Sequence, residues 1–136
     1  DHLDQSSDVH AIVSYYGASN LTTILAQSTP YGVSVREPAL EALLGALPEQ
    51  THELALLASP VTHVDRSDPP LLLLHGDQDP QMPINQSHEL EGAYKALGLD
   101  VDFDVVHGAG HGGESGFFSA ERNAQAVAFL RRTLAR

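Results

Sequence analysis

The sequence has no cysteine, which excludes disulfides, thiol catalysis and thiolate metal sites while leaving the cellular compartment open. Positive charge is scarce: 7 Lys and Arg stand against 18 Asp and Glu, a formal net charge of -11. Such a chain repels phosphate backbones and anionic membrane surfaces, so neither nucleic acid nor membrane is an expected partner. No apolar run approaches the roughly 20 residues of a membrane span. The opening DHLDQSSDVH lacks the basic and apolar regions of a signal peptide and any start signal for a helix or strand. It begins with Asp rather than Met, and the expectation is a fragment or processed piece of a soluble protein, cytoplasmic or secreted.

Metal-ligand patterns are missing as well. Among eight histidines, His107 and His111 are four apart, but the intervening GAG is no helix, and no H-E-x-x-H occurs. Asp100, Asp102 and Asp104 read as a solvated edge strand rather than a cation site. No metal and no cofactor are expected.

What is present is a chain of 136 residues, 42% hydrophobic, enough to bury one modest core in a single domain spanning 1–136. HAIVSYYG (10–17), PPLLLLHGD (69–77) and VDFDVVHGAG (101–110) read as strands, the third with Val101, Phe103 and Val105 alternating with aspartates, one face wet, near a sheet edge. Between the second and third, Leu90, Ala93, Tyr94 and Leu97 form a helical stripe framed by Pro83 and Gly98. After the third, Ser119 caps a helix with Val127, Leu130 and Leu134 as its stripe and Arg131, Arg132 and Arg136 at its negative end. Residues 18–60 break this rhythm. Leu40, Leu43, Leu44 and Leu47, then THELALLA, suggest an insertion of short helices above the sheet. The class is therefore α/β, three mostly parallel strands with flanking helices.

In such sheets ligands bind where the carboxyl ends of the strands deliver their loops. Two polar turns sit at such ends. In HGDQDP, Asp79 precedes Pro80 and is held on a rigid turn, with Asp77 as a brace. In HGAGHGG, His111 lies among glycines that let other groups approach its ring, while His107 belongs to the strand end. Each Asp is by itself an ordinary turn former; a carboxylate and an imidazole from adjacent strand ends are together two members of a hydrolytic triad. Tyr16, Asn20 and Met82, just past strand ends, are candidates either to line a substrate pocket or to fill the core.

PPLLLLHGDQDPQMP, with GAGHGG placing His111 32 residues after Asp79, resembles the acid and base segments of the α/β-hydrolase fold. IVSYYGASNL, LASPVTHV and GFFSAERNAQAVAFLRRTL extend the resemblance over nearly the whole chain to the carboxyl-terminal half of bacterial esterases of the acetyl-xylan and feruloyl esterase type. That family carries its serine in G-x-S-x-G upstream, together with its oxyanion-hole loop. Ser19, Ser34 and Ser115 each follow a glycine by two, but Leu21, Arg36 and Phe117 stand where the second glycine belongs. The resemblance thus implies a partial α/β-hydrolase holding Asp79 and His111, with the nucleophile on an upstream segment or second chain. It further implies a small ester substrate, as on decorated plant polysaccharide, with a prolyl-oligopeptidase-type serine peptidase as the alternative. The third alternative is a non-catalytic fragment whose unpaired strand edge binds another chain or a second copy of itself.

Overall fold

In a computed structural model, residues 4–113 and 117–135 are described. Three parallel strands form one sheet in chain order: β1 (Ile12–Tyr15), β2 (Leu71–Gly76) and β3 (Val101–Val106), with Leu71 level with Ile12 and Val101. The helices are α1 (Ile24–Gln27), α2 (Pro30–Leu44), α3 (His52–Leu57), α4 (Asn85–Leu97) and α5 (Ala120–Leu134), with a short 3-10 turn at Pro60–His63.

Successive strand side chains point to opposite faces, so the four leucines divide between two cores. Leu71 and Leu73 pack with Tyr94 of α4 on one face, joined by Val101 and Phe103. Leu72 and Leu74 pack with Val106, Ala126 and Phe129 under α5 on the other. Every residue of β2 is buried, as a central strand covered on both sides requires. The same alternation sends His75 toward α4 and Gly76 toward the base turn, which sets up the site. A third cluster, Leu21, Ile24, Leu40, Leu44, Ala55 and Met82, holds the helical insertion together.

Two sequence expectations are corrected, the stripe of α5 and the stripe of the insertion. The buried face of α5 is Ala126, Phe129 and Thr133, while Val127 and Leu134 are exposed and Leu130 is only partly buried. Phe129 is the bulkiest residue of the helix and seats over the sheet, and that rotation carries Arg132 to Asp102 (2.6 Å) and Arg122 to Asp104 (3.7 Å). The aspartate face of β3 is the face toward α5, and it stays wet as expected: Asp102 is exposed, Asp104 is half-buried, and β3 is an edge strand of the described sheet. In the insertion, α2 begins at Pro30, capped by Thr29 accepting from the Gly32 amide, and runs through Pro38; Leu43 is exposed. No helix among the described residues is long and apolar enough to cross a membrane.

Candidate active site

The acid turn leaves the carboxyl end of β2 and the base turn that of β3, and the two are in backbone contact. The Asp77 and Gln78 amides donate to the Val106 and Ala109 carbonyls (3.3 and 3.0 Å). This approach requires Gly76: a Cβ there would lie 2.2 Å from the Ala109 oxygen and 2.6 Å from that of Gly110. Asp77 adds a second tie, accepting from His107 Nδ1 (2.8 Å) and the Gly108 amide (2.7 Å). The His107 bond, then the Gly108 bond, holds Asp77 below the usual carboxylate range. Asp77 acts as a brace between the two turns.

Across this joint His111 Nδ1 donates to Asp79 Oδ2 at 2.7 Å. The other oxygen, Oδ1, accepts from the Gln81 and Met82 amides (2.8 and 2.9 Å), so both edges of the carboxylate are fixed. Burial pushes the Asp79 carboxyl up, but hydrogen bonds from His75, the Met82 amide, His111 and the Gln81 amide outweigh it and hold it at about 2. Asp79 is thus an anion wherever the protein works. Its side chain is fully buried and that of His111 is 23% exposed, so the carboxylate is shielded while the imidazole reaches the surface. With Nδ1 bound to the Asp79 carboxylate, Nε2 is the remaining ring nitrogen, the polarity a general base needs.

The family described as BD-FAE matches residues 1–94. The chain belongs to the BD-FAE family. Among curated proteins it is 28% identical over 100 residues to dipeptidyl aminopeptidase BIII of Pseudoxanthomonas mexicana, covering 74% of this chain and 14% of that protein. It is 32% identical over 80 residues to probable carboxylic ester hydrolase LipM of Mycobacterium tuberculosis, covering 58% of this chain and 18% of that one. The chain therefore spans less than one fifth of the length of either relative. Among solved structures, a truncated form of a carbohydrate esterase from gut microbiota superposes with a TM-score of 0.86 at 28% identity, over 100% of this chain and 46% of that chain. Fold and relatives agree on an α/β-hydrolase-like partial chain of a hydrolase family.

The remaining site residues of this BD-FAE chain divide. Tyr16 closes β1 with a φ of 41°, a conformation that side chains rarely adopt, and its ring centroid lies 4.2 Å from that of His111. Strain of this kind at a non-glycine residue is held only by surrounding packing, here against His111 and Phe117. The side chains of Asn20 and Met82 are held by other residues of the chain. Asn20 is bonded inward, its amide donating to Glu89 (2.6 Å) and its carbonyl accepting from Thr22. Met82 is 4% exposed, in the core of the insertion. Ser19 is buried with its hydroxyl donating to the Gln86 carbonyl, and Ser34 lies on α2 bonded to the Tyr31 carbonyl; Ser115 lies outside the described residues.

Sequence reasoning missed two buried polar groups. Gln86 accepts from the Ser19 and Asn20 amides (2.9 and 2.8 Å) and pins the loop after β1 to α4. His75, 0% exposed, contacts Asp79. The available signal for His75 was its place in a fully buried strand, where a polar side chain needs partners on the covering helix.

Proposed function

We propose that residues 1–136 form the acid and base half of a serine ester hydrolase acting on small acyl esters, as borne by decorated polysaccharide. The 2.7 Å bond between Asp79 and His111 at the ends of neighbouring strands carries this conclusion. His111 Nε2 takes the proton of a serine hydroxyl as its oxygen attacks the acyl carbon. The same proton then passes to the departing alkoxide. Water repeats the sequence on the acyl-enzyme and frees the acid. Asp79 stays ionised and stabilises the imidazolium throughout. The serine and the oxyanion donors come from a segment outside these residues, since no G-x-S-x-G occurs within them. The outer edge of β1 is the place for that segment to pair. Support for ester chemistry comes from the ester hydrolase and carbohydrate esterase relatives; the aminopeptidase relative favours amide hydrolysis as a second reading.

Two comparisons test the proposal. The 136-residue chain alone should give no saturable turnover of p-nitrophenyl acetate, whereas the full-length protein carrying it should, with kcat/KM well above that for aminoacyl or dipeptidyl amides. Saturable turnover by the chain alone would place the nucleophile within it. A preference for the amides would make the protein a peptidase, and inactivity of the full-length protein on both would leave a binding fragment.

A further inference from the structure

His75 occupies the last side-chain position of β2 on the α4 face, 0% exposed, between three partners. Met82 O lies 3.0 Å from Nε2, and a carbonyl can only accept, so Nε2 carries the proton. Nδ1 is then the acceptor, and Ser87 Oγ in the first turn of α4 donates to it at 2.7 Å. The Met82 carbonyl sets the tautomer, and the Ser87 hydroxyl, able to donate or accept, complements it. With Nε2 protonated, its N–H also faces Asp79 Oδ2 at 3.5 Å, the oxygen that His111 holds at 2.7 Å on the other side. His75 also spans the acid turn from its first residue to the Met82 carbonyl, while the Met82 amide grips Asp79 Oδ1. Asp79 is the charged group that the described structure brings against His75.

From this geometry we propose that His75, set in its Nε2–H tautomer by the Met82 carbonyl and seated on Ser87, is a positioning residue that closes the acid turn and aims Asp79 Oδ2 at His111. It touches neither substrate nor reacting atoms, and it rests on the catalytic role proposed for Asp79 and His111. Buried polar side chains that orient a reactive group act by fixing its geometry, and a displacement of about 1 Å costs roughly 100-fold in rate. A hydrophobic ring of similar size would fill the space without holding the turn.

The test uses the full-length protein and two readouts, kcat/KM and the far-downfield proton resonance of the His111 Nδ1–H bonded to Asp79, assigned by its disappearance in His111→Asn. His75→Phe should lower kcat/KM by about 100-fold and shift or erase that resonance. Ser87→Ala should do both to a smaller extent. His75→Gln, whose amide N–H reaches toward the Met82 carbonyl, should retain the resonance and recover most of the rate. A folded His75→Phe protein with both readouts unchanged overturns the proposal, and so does a His75→Gln protein no better than His75→Phe. Should His75→Phe fail to fold, Ser87→Ala decides: unchanged resonance and rate refute the role. Full activity of His111→Ala would instead overturn the catalytic pair itself.

Discussion

Replacing Asp79 by Asn in the full-length protein should reduce kcat by about four orders of magnitude while leaving the fold intact. The amide is nearly isosteric, so the pocket formed by the Gln81 and Met82 amides is still filled. It carries no charge, however, and cannot stabilise the imidazolium that His111 becomes when it accepts the serine proton. Its NH2 group, turned toward His111, would also favour the tautomer with the proton on Nε2, where the base must be vacant. His111→Ala should cost as much or more. Because Asp79 is held at about 2, it remains ionised through the mildly acidic range. Any fall of kcat/KM over that range should therefore not track the Asp79 carboxylate. Asp77→Asn is the control. It removes the charge that ties His107, while the Asn carbonyl can still accept from the Gly108 amide, and it should alter stability slightly, with little change in rate. A large rate loss in Asp77→Asn with a silent Asp79→Asn would exchange their roles.

Gly76→Ala should have the second largest effect, without touching a catalytic group. The new methyl would lie 2.2 Å from a backbone carbonyl, and no side-chain rotation relieves that overlap; the base turn itself must move away from the acid turn. Overpacking of this kind costs about 1–3 kcal/mol of stability, and a shift of about 1 Å between acid and base costs roughly 100-fold in rate. Thermal unfolding and kcat, measured together, should both fall. Gly92→Ala on α4 separates steric conflict from mere loss of glycine: nothing lies within 4 Å of its Cβ position, and removing a helical glycine should raise stability by about 0.5–1 kcal/mol with activity unchanged.

The strands and both polar turns were legible because their signals are local and mutually consistent. A run of leucines between prolines and a glycine has one good solution, a doubly covered strand, and the turn after it must then face the ligand-binding end of the sheet. The rotation of α5 was not legible, since Val127, Leu130, Leu134 and Ala126, Phe129, Thr133 are neighbouring stripes about one residue apart. The choice fell to the fit of Phe129 over the sheet and to two arginines finding Asp102 and Asp104 on another element. The length of α2 was not legible, because Pro38 lies inside it and only the tertiary setting tolerates a proline there. For Asn20 and Met82, position past a strand end does not say which way a side chain turns. Gln86 holds the Asn20 backbone amide and Glu89 its side chain, and the insertion's own core took Met82. The tilted contact of the Tyr16 ring with His111 accompanies a positive φ that nothing about tyrosine suggests.

The most direct measurement is active-site labelling of the full-length protein with a fluorophosphonate, followed by mapping of the modified peptide. A single serine outside residues 1–136 should be labelled, and His111→Ala should slow that labelling by several orders of magnitude, because the imidazole is what makes the serine reactive. Label on Ser19, Ser34 or Ser115, or labelling indifferent to His111, would contradict an acid and base pair built to activate a serine from another segment.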